Sequence, residues 1–156
     1  MRIHKDVEPH TKEEAEVVFA QGTSEQIRDA LLGVTYYVED WRWVQTTCLA
    51  FLDASDRYVQ FAAIDCLGNL ALFHGTLDLA IVLPALQAHT SDPTLARRVT
   101  EAFIAIAIAV KKTPSLVENW DELPQRIKNM LIADEIFDSR GKLIKKRNFI
   151  RRFFDR

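Results

Sequence analysis

The sequence predicts an all-α fold, a short α-solenoid of about three helical hairpins closed by a C-terminal helical cap. Three observations predict it. Apolar residues recur at helical spacing from Thr11 to about Val110, with no strand pattern among them. Glycines and Asp/Ser/Thr groups interrupt that spacing at short intervals, as helix ends do. The apolar pattern also repeats: Asp56, Val59, Ala63, Cys66, Leu67 and Leu70 fall on Asp92, Leu95, Val99, Ala102, Phe103 and Ile106 at a constant offset of 36.

Each element has its own signal. Thr11, with Glu14 three positions on, opens a first helix as a capping box, and Gly22 ends it. Ser24 caps a second, with Ile27, Leu31, Val34 and Val38 on one face. At an offset of 32, Ser24, Ile27, Leu31, Val34 and Val38 join the same repeat template. A third helix runs from Asp40 to Leu52 and a fourth follows Asp56, from Val59 to Leu72. His74-Gly75-Thr76 separates this from a fifth, Leu77 to His89. Asp92-Pro93, an N-cap with proline at the first helical position, opens a sixth that reaches about Val110. A pair of antiparallel helices cannot bury its apolar faces alone, so such units must stack.

Beyond Val110 the repeat stops. Lys111-Lys112-Thr113-Pro114 breaks the helix, and LVENWDELPQRIKNMLIADEIF predicts one or two more helices carrying Trp120, Leu123, Ile127, Leu131 and Ile136. Asp138-Ser139-Arg140-Gly141 is a turn. The last residues place Leu143, Ile150, Phe153 and Phe154 near one stripe with Lys and Arg around it. Three readings of that tail stand side by side: a terminal cap, an arm that grips nucleic acid through phosphate contacts and Phe stacking, and a membrane-surface helix. The chain divides into a repeat domain over 1–111 and an extension over 112–156 that packs on it.

The segment Asp56 to Leu70, DRYVQFAAIDCLGNL, followed by LDLAIVLPALQAHTSDP, resembles the HEAT-repeat family. It has the opening Asp, a Val followed by small residues, Leu-Gly near the end of the first helix, and a Leu-Pro-Ala-Leu second helix running into Asp-Pro. Gln60 stands where the family usually has Arg, and Ile104 stands in the third unit where the second has Gly68. Ala62 and Ala63 let paired helices approach, and Pro84 should kink the second helix or cost it a hydrogen bond. The resemblance covers about residues 12–110. It implies a short right-handed α-solenoid of HEAT-like hairpins in which the second helix of each pair lines a concave surface.

That implication gives the stretch VEDWRWVQ a meaning. On a helix over residues 40–52, Trp41, Val44, Cys48, Phe51 and Leu52 gather on one face, the core. Trp43 lies about 200° from Trp41, beside Arg42, Thr46 and Ala50. By the resemblance, Arg42, Trp43 and Thr46 share the concave surface with Asp78, Ile81, Ala85 and His89 of the next pair. The alternative is that Trp43 packs under the loop after Gly22 or against Tyr36 or Tyr37.

Composition narrows the function. The apolar share of 48% is enough to bury a core without staples. Cys48 and Cys66 sit inside apolar helical patterns without metal or redox spacing. No phosphate-binding glycine loop, nucleophile elbow or zincin motif is present, so no cofactor is implied. His4, His10, His74 and His89 lack ligand neighbours at i+3 or i+4, and the adjacent pairs Glu13/Glu14 and Asp134/Glu135 diverge on a helix. No metal site or catalytic residue follows, and the reading is non-enzymatic. The N-terminus has no continuous apolar stretch and no run approaches the roughly 18 residues a membrane span needs, so a cytoplasmic protein is expected.

The net charge of −2 conceals an asymmetry. Residues 140–156 carry eight Lys or Arg against Asp155, a net of +7, which leaves 12 basic and 21 acidic residues in 1–139, a net of −9. Such a body repels nucleic acid and favours a basic partner. HEAT-like DNA glycosylases use basic, aromatic concave surfaces, which this body lacks. Small acidic HEAT-like chains without catalytic motifs look like the immunity proteins of polymorphic toxin and contact-dependent inhibition systems, and that resemblance implies a cognate bacterial toxin, often a basic nuclease, as partner. The alternatives are a nucleic-acid-associated protein acting through residues 140–156, and a scaffold or lyase-like chaperone.

Overall fold

A computed structural model describes residues 8–144. Among them are seven α-helices: α1 Lys12–Gln21, α2 Ser24–Tyr37, α3 Trp41–Phe51, α4 Arg57–His74, α5 Leu79–Gln87, α6 Pro93–Lys112 and α7 Gln125–Ala133. The described chain is all-α, and its one β feature is an isolated antiparallel bridge between Phe137 and Leu143.

Side-chain chemistry starts most of these helices. Thr11, Asp40, Asp56 and Asp92 each accept a backbone N–H from the first turn that follows, satisfying donors a helix start leaves open. At α2 the cap is Thr23 rather than Ser24. Thr23 accepts from the Gln26 N–H while the Gln26 side chain accepts from the Thr23 N–H, and this reciprocal box moves the boundary back by one residue. Helix α5 starts at Leu79, two residues later than expected. It ends at Gln87, a nine-residue helix in which Pro84 has no N–H to donate. Gly75 ends α4 in the left-handed conformation at φ 62°, which costs a glycine nothing.

Packing sorts the first six helices into two layers. The long helices α2, α4 and α6 lie side by side with α4 in the middle. Arg98 of α6 reaches Asp65 of α4 at 2.6 Å, and Arg28 of α2 lies 5.4 Å from the ring of Tyr58 in α4. His74 Nε2–H donates to the Thr35 carbonyl at 2.6 Å, joining the ends of α4 and α2. A Cβ added at Gly68 would stand 3.3 Å from both Ala102 Cα and Ala105 Cβ, so the α4–α6 crossing is closer there than a side chain fits without a small shift of its neighbours.

Helices α1, α3 and α5 form the second layer. Helix α1 rests on α2, α3 on α4 and α2, and α5 on α6. The core between the layers holds Leu31, Val34, Val44, Cys48, Ile64, Leu67, Leu70, Leu83, Leu86, Phe103 and Ile106, all without exposure. Cys48 belongs to it. The Cys66 thiol beside it, together with burial, holds the Cys48 thiol well above the usual range, so it stays protonated and unreactive.

After α6 the chain forms two single 3-10 turns, Pro114–Leu116 and Trp120–Glu122, before α7. The expected one or two helices shrink to one because Pro114 and Pro124 interrupt the backbone ladder and Asn119 caps a turn of its own. Ile127 and Leu131 of α7 are buried, as are Leu123, Ile136 and Phe137. The Arg126 guanidinium lies 5.5 Å from the Phe103 ring, fixing α7 to α6. The turn Asp138–Gly141 forms: Asp138 accepts the N–H groups of Arg140 and Lys142, and Gly141 at φ 80° passes against Trp120, where a Cβ would lie 2.2 Å from the indole. Of the expected aromatic tail stripe, Leu143 is exposed, and Ile150, Phe153 and Phe154 lie outside the described residues. No helix among the described residues is long and apolar enough to cross a membrane.

Candidate functional site

The residues expected on one surface belong to α3 and α5, which are joined by polar links at both ends. Gln45, only 5% exposed within α3, accepts the Asp78 N–H at 2.8 Å just before α5 begins. Beyond the other ends, Asp53 lies 3.4 Å from His89 Nε2. The two helices therefore run in the same direction. Arg42, Thr46 and Ala50 form an exposed stripe on α3, and Ile81 and Pro84 of α5 are exposed with Ala88 just past its end.

Each expected residue then has a definite place. Arg42 is exposed, and its guanidinium lies 4.3 Å from the centre of the Trp41 ring, a cation–π contact. Thr46 is exposed, and its hydroxyl donates back to the Arg42 carbonyl at 2.9 Å. Ile81 is 53% exposed, a large apolar side chain in solvent. His89 is half-buried and occupied with Asp53. Asp78 is half-buried. Its carboxylate has no hydrogen bond or ion pair among the described residues and does not cap its own helix, unlike Asp40, Asp56 and Asp92.

Trp43 is the exception. It is half-buried and packs against the core, with the Lys12 ammonium of α1 5.6 Å from its ring centre. Lys12 also pairs with Asp40, and that pairing, followed by the Trp43 N–H bond, holds the Asp40 carboxyl below its ordinary range. Trp41 is half-buried rather than sealed in the core. The expected division between a structural Trp41 and an open Trp43 gives way to two half-covered rings, because α3 has α1 along one flank and the α5 entrance along the other.

Arg42 and Asp78 are brought together in a cleft of about 190 Å³, lined also by Trp41, Thr76, Ser115 and Glu118. Thr46, Ile81 and His89 lie farther along the same helices. Sequence reading missed Thr76, Glu118 and Gln45. For Gln45 a signal existed: it stands four residues after Trp41 and three before Cys48, a polar side chain on the core face. Thr76 and Glu118 sit in turns with no periodicity to mark them. Among the described residues no group of three His, Cys, Asp or Glu is placed to hold a metal ion. No protein-family model, curated protein or solved structure matches the chain.

Proposed function

We propose that the chain is a short right-handed α-solenoid of about three HEAT-like hairpins with a C-terminal cap, acting as a non-enzymatic protein-binding module, an immunity protein that captures and neutralises a cognate bacterial toxin. The observation that carries this reading is the flank of α3 and α5, where Arg42, Thr46, Ala50, Ile81, Pro84 and Ala88 are exposed among the described residues. Long helices packed behind it supply a platform, and an apolar stripe with an arginine at its end is what a protein interface asks for. The described residues hold 20 acidic and 12 basic side chains, a net of −8, which steers a basic protein such as a nuclease toward this surface and speeds its capture.

The test is capture from the native host followed by inhibition. The expected partner is a basic toxin domain whose activity is blocked at one-to-one stoichiometry. Arg42→Ala with Ile81→Ala should weaken binding about 100-fold or more, the size of a loss of two interface anchors. Full-strength binding by that double variant places the interface elsewhere, and a partner without toxic activity refutes the immunity reading.

A further inference from the structure

We propose that the outward stripe of α6 seats a second copy of this chain, packed antiparallel across a two-fold axis. On α4 the side turned to α6 carries Phe61, Asp65 and Gly68. Arg98 lies 4.6 Å from the Phe61 ring and 2.6 Å from the Asp65 carboxylate, and Gly68 faces Ala102. At the repeat offset of 36 the same side of α6 carries Arg97, Glu101 and Ile104, with Ile108 one turn further on. All four are exposed, Ile104 by 46% and Ile108 by 43%. The side that α4 closes against a neighbouring helix therefore stands open on α6. The end of a helical stack in water is ordinarily polar, and two large aliphatic side chains at its centre mark it as a contact surface.

The charges around them say what fits. Arg97, Glu101, Ile104, Ile108 and Lys111 follow one another at alternating steps of four and three residues, the straight seam along which two helices pack, and all are exposed. Glu101 lies before the isoleucines and Lys111 after them. A two-fold axis at the level of Ile106, perpendicular to α6, sets Ile104 against Ile108 of the partner subunit and Glu101 against Lys111 of the partner subunit, and symmetry supplies both pairs twice. A parallel pairing would set glutamate on glutamate and lysine on lysine, so charge selects the antiparallel one. Lys111 has no ion pair among the described residues. Glu101 lies 3.3 Å from Arg97, an exposed pair that leaves its carboxylate acceptor sites for a second donor. Beside Ile104 a groove of about 250 Å³, lined by Asp65, Gly68, Asn69, Glu101, Ala102 and Ala105, gives an incoming side chain room. Two isoleucines and one pair of charges from each copy make a small interface, so the dimer is expected in the micromolar range. It uses the long layer and leaves the α3–α5 flank open.

The test is sedimentation velocity of the full chain from micromolar to millimolar concentration, where a reversible dimer is expected. Ile104→Glu with Ile108→Glu should be monomeric throughout and keep the wild-type urea midpoint, since both side chains are exposed. Glu101→Lys alone, or Lys111→Glu alone, should weaken dimerisation about tenfold or more by setting like charges opposite one another. The two together exchange the charges and should return the affinity to within about threefold of wild type, a recovery that only the antiparallel register gives. A chain that stays monomeric at every concentration overturns the proposal. In that event a lower urea midpoint in the isoleucine variant assigns the stripe to another segment of the same chain, and loss of toxin capture assigns it to the toxin. A dimer that survives the isoleucine variant, or a charge exchange that restores nothing, also overturns it.

Discussion

The two helical layers are held together by different chemistry. In the α2–α4–α6 layer the helices span 14, 18 and 20 residues, and α4 and α6 approach closely at Gly68, so apolar area and close approach fix most of their geometry, with Arg98–Asp65 and His74–Thr35 as polar links beside them. In the α1–α3–α5 layer the helices span 10, 11 and 9 residues, and few contacts join neighbours: the polar links Lys12 with Asp40, Gln45 with Asp78 and Asp53 with His89, and the Phe19–Phe51 ring pair at 5.1 Å between α1 and α3. Helices this short are marginal alone and depend on what they rest on. The difference teaches where a binding surface can lie. The short layer, pinned at its ends, leaves the outer stripe of α3 and α5 open, and the long layer, for all its close packing, leaves Tyr58, Phe73, Ile104 and Ile108 exposed on its own outer side.

The strongest way to break this contrast is in the packed layer. Phe103 of α6 has no exposure, and its ring underlies the Arg126 guanidinium that fixes α7. Phe103→Ala should cost about 3–5 kcal/mol, through lost burial and the cavity left behind. A fall in the urea midpoint without a change in slope is the expected signature. A loss under about 1 kcal/mol would mean the layer relaxes into the space and is not rigidly packed.

A smaller effect is expected in the pinned layer. Gln45→Ala removes the acceptor of the Asp78 N–H and should cost about 1–3 kcal/mol. The distinguishing readout is local. Hydrogen exchange at the Asp78 amide should accelerate while amides in the middle of α4 keep their protection relative to the global stability. If the α4 amides accelerate in step with Asp78 beyond that global change, the two layers are one cooperative packing unit and the contrast dissolves.

Much of this organisation was legible beforehand, and for physical reasons. Local hydrogen bonding writes itself into local sequence, so Thr11, Asp40, Asp56 and Asp92 marked helix starts, and Asp92-Pro93 marked one to the residue. The apolar repeat at offsets of 32 and 36 anticipated which helices lie side by side, since Arg98 pairs with Asp65 across 33 positions and Ala102 meets Gly68 across 34. Thr23 and Ser24 are both good caps, and only the Gln26 side chain decides for Thr23. Links between distant residues were not legible. Nothing near Gln45 announces Asp78, and nothing near Trp43 announces that Lys12 covers it. Helical phase says which way a side chain leaves its helix, while the neighbour it meets is a property of the stack.

The smallest expected effect separates the α4–α6 seam from the exposed helix caps by pH. Burial lifts the Asp65 carboxyl above its ordinary range even though the Arg98 guanidinium, at 2.6 Å, pulls the other way. Hydrogen bonds lower the cap carboxyls: Lys12 with the Trp43 N–H for Asp40, Ser24 with the Val59 N–H for Asp56, and Thr94 for Asp92. The signs oppose. An acid raised in the fold binds its proton more tightly folded than unfolded, so ionised Asp65 weakens the fold at neutral pH, and that weakness is relieved as pH falls toward its raised value. The lowered caps contribute stability above the unfolded carboxylate range near pH 4 and lose it as pH falls below. The urea midpoint should therefore hold level or rise slightly from pH 7 to about 5 and fall below about 4. Asp65→Asn should remove the upper feature and leave the acid fall. Asp56→Asn should do the converse in part, since asparagine caps nearly as well but does not titrate. A wild-type midpoint with no rise on the way down from pH 7, and an acid fall below about 4 that Asp65→Asn makes smaller, would show that the Arg98 attraction outweighs burial and that the α4–α6 seam is wetter than its close approach implies.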